Sequence, residues 1–167
     1  FRLTILAATL LGLGANQAIA QTCPNPVTGT VNDCTVSSGS LKISATGVVL
    51  DGVFITGATI IVANEGTITT APGSFGNAVD VGSASLVRLT NSGTIDGDDS
   101  GVRVDTGTLG TLENSGVIKG GIAGVSLTQP AAVITTIENR AGGLISSDIQ
   151  AIFNIGTITT LNNSGRI

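Results

Sequence analysis

Residues 89–95 read LTNSGTI, and the chain keeps returning to variants of that phrase: NEGTI at 64–68, NSGVI at 114–118, NRAGGLI at 139–145 and NSGRI at 163–167. Successive asparagines, Asn64, Asn91, Asn114, Asn139 and Asn163, are separated by 27, 23, 25 and 24 residues. Ahead of the last four stands an aliphatic-x-x-aliphatic-x-Asn unit, in which Leu86 and Leu89, Leu109 and Leu112, Ile134 and Ile137, and Ile158 and Leu161 hold equivalent places. After each asparagine a glycine-containing turn leads to one aliphatic residue: Ile68, Ile95, Ile118, Ile145 or Ile167. A third segment follows with small-Val-x-Val character: Ala78, Val79 and Val81, then Gly101, Val102 and Val104, then Gly124, Val125 and Leu127. It recurs as Ala151 and Ile152, with Asn154 breaking the pattern.

Each repeat thus holds three short apolar-alternating stretches separated by Gly, Asn, Asp, Ser and Thr, too short and too β-branched for helices. A period near 25 residues admits leucine-rich, ankyrin-type and β-helical solenoids. The lack of a sustained helical period removes the first two. The fold expected is all-β, a right-handed parallel β-helix with three strands per coil, each coil hydrogen-bonded to the last. Equivalent residues then stack about 4.8 Å apart, and the asparagine column becomes a ladder passing amide hydrogen bonds from coil to coil. Gly66, Gly93, Gly116 and Gly165 are expected to supply a positive φ at the corner. Length variation is expected in corners such as residues 70–76. Residues 35–63 read as the less regular start of the helix, with Val48, Leu50, Val53 and Ile55 facing inward.

The first twenty residues, FRLTILAATLLGLGANQAIA, read as a secretory signal peptide: Arg2 is their only charge, an apolar stretch runs from Leu3 to Leu13, and Ala18-Ile19-Ala20 offers small-x-small cleavage. The stretch is too short for a membrane anchor, which takes about 20 apolar residues. Ala20-Gln21-Thr22 before Cys23 also lacks the aliphatic-small-small run of a lipoprotein. Gln21 is the expected mature N-terminus. With no initiator Met and a stop inside a repeat at Ile167, the chain reads as a fragment. Its organisation is expected to be a signal peptide (1–20), an N-terminal cap closed by a Cys23–Cys34 disulfide (21–34), and the β-helix (35–167). The cap is needed because an open β-helix end exposes unpaired strand edges.

Composition narrows the function. There is no His, Trp, Tyr or Met, and beyond the leader the aromatics are Phe54, Phe75 and Phe153. Such a core is a narrow stack of Val, Ile and Leu. Seven basic residues against eleven acidic ones give a net charge of −4, which argues against nucleic acid or an anionic membrane as partner. No catalytic residue, cofactor or metal ligand is assigned. Asp80 and Arg103, with Ser126 on the next coil, fall at equivalent outward positions and are expected to form an exposed ion pair. DGDDSG at 96–101 opens like a calcium loop, but Gly107 stands where an EF-hand needs Glu, and a solvated turn is the better reading. Threonine pairs at 69–70, 135–136 and 159–160 suggest an ice-binding array. Arg88 in the same column argues for ordinary strand formers instead.

An export signal, an aromatic-poor β-solenoid and iterated L-x-NSGTI units resemble the passenger domains of autotransporters, the type V secretion proteins of Gram-negative bacteria. The resemblance implies export to the cell surface, outer membrane or medium, and carriage by an outer-membrane barrel formed by the C-terminus of the same polypeptide. It also implies a structural or adhesive role toward host or bacterial surface molecules, or toward the protein itself. The alternatives are a polysaccharide-active β-helix lyase or hydrolase and a secreted ice-binding-type solenoid.

Overall fold

In the computed structural model, which describes residues 23–167, the chain winds through successive three-strand coils. The first holds β1 (Thr30–Val31), β2 (Cys34–Val36) and β3 (Ser40–Ile43), and the second β4 (Val48–Val49), β5 (Val53–Ile55) and β6 (Ile60–Asn64). The third comprises β7 (Thr67–Thr69), β8 (Val79–Val81) and β9 (Ser85–Asn91), and the fourth β10 (Thr94–Gly97), β11 (Ser100–Val104) and β12 (Thr108–Asn114). Then come β13 (Val117–Gly120), β14 (Ala123–Leu127) and β15 (Val133–Asn139), and finally β16 (Leu144–Ser147), β17 (Gln150–Asn154) and β18 (Thr157–Asn163). Every third strand pairs in parallel, giving three six-stranded sheets: the first begins at β1, the second at β2 and the third at β3. The fold is a parallel β-helix with three strands per coil. The signal-peptide reading of residues 1–20 and the new N-terminus at Gln21 lie outside the described residues.

The register explains the repeat. Ile68, Ile95, Ile118 and Ile145 stack in the first sheet. Val53, Val79, Val102, Val125 and Ile152 stack in the second. In the third, Leu86, Leu109, Ile134 and Ile158 form one column, and Leu89, Leu112, Ile137 and Leu161 another. Apart from Ile152, Ile158 and Leu161 in the last coil, these residues are fully buried, and each buried aliphatic contributes about 1.5–3 kcal/mol of hydrophobic stabilisation. One core of aliphatic residues therefore runs up the axis. Phe54, Phe75 and Phe153 all stay at the surface.

Three details depart from the simple pattern. Val48 and Leu50 do not face inward: Val49, stacked under Ile68, is buried, while Val48 is half-buried and Leu50 is exposed. With β-strand alternation, one inward residue forces both neighbours outward. Second, the inward aliphatics of β9, β12 and β15 are separated by two residues, but those of β6, Ile60 and Val62, by one. The pairing of β6 with β9 accordingly slips between Ile60 and Ile61, so Val87 has no counterpart in β6. Third, the inserted residues 71–76 loop out between β7 and β8.

The strand ladder starts at β1, ahead of residue 35. Residues 23–27 cover the lower edge of the third sheet. Val27 N–H donates to the Lys42 carbonyl and Ser44 N–H donates to that of Val27. The Asn25 amide donates to the Ser40 carbonyl and accepts from Lys42 N–H, imitating a strand against β3. The Cys23–Cys34 disulfide ties this segment to β2. A disulfide suits an oxidising compartment.

Candidate functional site

The corner between the third and first sheets carries the asparagine column. Asn64 Nδ2 donates to Asn91 Oδ1 at 2.8 Å, Asn91 to Asn114 at 2.8 Å, Asn114 to Asn139 at 2.9 Å and Asn139 to Asn163 at 2.8 Å. Each Nδ2 also donates to a main-chain carbonyl a few residues past the next asparagine of the column, those of Thr94, Val117, Leu144 and Arg166. Asn64, Asn91, Asn114 and Asn139 are buried, so these bonds satisfy amides that would otherwise be costly to enclose.

The glycines beside the column serve close approach, not the positive φ expected of them. Positive φ falls at Gly39, Gly52, Gly73 and Gly142, and at none of Gly66, Gly93, Gly116 or Gly165. Instead, a Cβ at Gly93 would overlap the Gly66 carbonyl, one at Gly116 the Gly93 carbonyl, and one at Gly165 the Gly143 carbonyl. The turns stack too tightly for a side chain. Gly142 serves the corner at 139–145, which is longer than its counterparts, in a left-handed conformation at φ 89°.

On the second sheet Asp80 stands beside Arg103, and Arg103 beside Ser126, which is buried with its hydroxyl donating to Ser100 Oγ instead of lying on an exposed face. Arg103 donates to Asp80 Oδ2 at 3.2 Å and reaches Asp105 Oδ1 at 3.0 Å. Asn77 Nδ2 also donates to Asp80, and Thr128 Oγ1 donates to Asp105. On the third sheet, Glu113 is shared between Arg88 at 3.4 Å and Arg140 at 2.9 Å, with Glu138 also against Arg140. Sequence reading missed this cluster. Its signal is columnar, since Glu113 and Glu138 are register partners and Arg88 lies one coil below. Pairs of this partly exposed kind contribute about 0–1 kcal/mol each.

The acidic corner at 96–101 is used structurally by Asp98. Its carboxylate accepts N–H bonds from Gly73 at 3.0 Å and Phe75 at 2.8 Å, and its own N–H donates to Thr70 Oγ1. These bonds pin the 71–76 loop and hold the Asp98 carboxyl below its ordinary value, through the Gly73 N–H first and the Phe75 N–H second. Among the described residues no three His, Cys, Asp or Glu side chains gather as a metal-binding group. In the threonine column, Thr111, Thr136 and Thr160 stack, but Arg88 and Ile61 continue it below.

A groove of about 550 Å³ runs up the outside of the first sheet. Leu50, Ala71 and Pro72 give it apolar surface, and Asp51, Asp96, Asp98, Asp148 and Lys119 give it charge. Asp96 has Thr69 below it and Lys119 above in one outward column. Compared with protein-family models, curated proteins and solved structures, the chain matches none.

Proposed function

We propose that this chain is an exported β-helical segment of the autotransporter-passenger kind, acting as a surface stalk or adhesive scaffold and not as an enzyme. The observation that carries this reading is the one-dimensional coil itself: three sheets repeating one register, begun by a disulfide-tied cap that follows a leader-like sequence. Six rungs at the spacing of paired strands span about 24 Å, so added coils add length without a new core. The carboxylates of the second and third sheets support a structural reading, because Asp80, Asp105, Glu113 and Glu138 are each tied to arginine.

The test is expression of the full chain in a Gram-negative cell. Cleavage after Ala20, an oxidised Cys23–Cys34 pair and recovery outside the cytoplasm are expected. An uncleaved, reduced chain held in the cytoplasm would overturn the export reading. Release of reducing sugar from a polysaccharide panel, abolished by one carboxylate change, would overturn the non-enzymatic one.

A further inference from the structure

We infer that the groove on the first sheet binds a cationic glycan, a chain of pyranose rings bearing free amino groups. The setting is the adhesive reading above, but the binding belongs to the folded protein and is tested apart from export. The groove runs from the β4 rung, which supplies Leu50 and Asp51, past Asp96 and Lys119 to Asp148 beyond β16. Four steps of about 4.8 Å make it roughly 19 Å long, and its volume falls in the range of ligand clefts, about 300–1,000 Å³.

Charge distribution selects the ligand. On the other two sheets, Arg88, Arg103 and Arg140 are all engaged with carboxylates. In the groove, Asp51, Asp96 and Asp148 make no ion pair among the described residues, and Lys119 is the one cation lining it. A net negative, partly apolar channel attracts amines. The strands beneath it from β4 to β13 are paired on both sides, so they offer a peptide no edge to extend. What they offer is carboxylate and hydroxyl acceptors, Thr69 included, suited to amino and hydroxyl groups. The wall adds an apolar face: Leu50, Ala71 and Pro72 line the groove beside the carboxylates and are available to the C–H face of a sugar ring.

The test is calorimetric titration of the purified full chain with a glucosamine oligomer, its fully N-acetylated counterpart and poly-lysine. The glucosamine oligomer is expected to bind, more weakly as salt rises, with the acetylated chain at least about tenfold weaker, near 1.4 kcal/mol. Asp51→Asn combined with Asp96→Asn should weaken binding by about tenfold. Glu138→Gln, which removes a carboxylate from a different sheet, should leave it unchanged. Lys119→Gln should tighten it severalfold, a gain that misfolding cannot imitate. Absence of binding, equal binding of the acetylated chain, equal or tighter binding of poly-lysine, or an effect of Glu138→Gln matching the double variant would each overturn the inference. Because the protein is added already folded, none of these outcomes bears on export.

Discussion

Asn64 stands directly over Ile43 in the third sheet, and its buried Oδ1 accepts no hydrogen bond. Every later ladder oxygen accepts from the asparagine beneath it. The column therefore begins on an unanswered acceptor. Ile43→Asn should supply the missing donor, whereas Ile68→Asn buries an amide with no such partner. Both lose aliphatic burial, so the first is expected to be less destabilising by about 1–3 kcal/mol. Urea denaturation measures the difference, and equal losses would mean that Asn64 gains nothing from a donor at position 43.

In the middle of the column, Asn114 accepts from Asn91 and donates to Asn139 and Leu144. Asn114→Ala should cost about 1–3 kcal/mol by leaving buried partners unsatisfied. Asn163→Ala, on the exposed last rung, should cost less. An unmoved melting temperature for Asn114→Ala would show that the column does not stabilise the fold.

The glycine column makes a separate prediction. Gly116→Ala forces its methyl against the Gly93 carbonyl and should cost about 1–3 kcal/mol as an overpacked site. Gly82→Ala has open space and no positive φ, so its effect should stay within about 0.5 kcal/mol. Thermal denaturation of the two variants in parallel checks the contrast.

These contrasts mark what was legible beforehand. The asparagine register could be read because identical residues at one period can hardly avoid stacking. The role of Gly93 and Gly116 could not, because a glycine required for close approach and one required for left-handed backbone look alike in sequence. Leu50 was misplaced for a similar reason: in a two-residue strand such as β4, alternation has too few positions to fix its phase. The groove joins residues nearly a hundred positions apart, Asp51 to Asp148, and becomes visible only once the coils are superposed.

Protonation of Asp98 should release the 71–76 loop. The native carboxyl titrates below its ordinary value, so its contribution is fully present above the unfolded pKa and is lost as pH falls through the lower native one. Amide-exchange protection factors at Gly73 and Phe75 are expected to collapse below the usual carboxylate range. Asp98→Asn should reproduce that loss at neutral pH. Protection that persists in the variant would mean the loop is held by other contacts.

Reduction of Cys23–Cys34 should act locally. The bond closes a short loop, separation 11, and constrains the unfolded chain by about 2–3 kcal/mol. In a solenoid, stability is a sum over neighbouring repeats. Hydrogen exchange should therefore quicken in β1, β2 and β3 while β12 stays protected; uniform loss would indicate a single cooperative unit.

The parallel register has a mechanical corollary. Among the described residues every strand pairs only with the strands one coil before and one coil after it, so a pull on the two ends of the ladder finds no clamp joining distant coils. Coils would peel in succession, each releasing a similar contour length and breaking one more link of the asparagine column. The force record would be a train of near-equal steps, and a molecule of this design could be drawn out as a thread and wind itself up again one turn at a time.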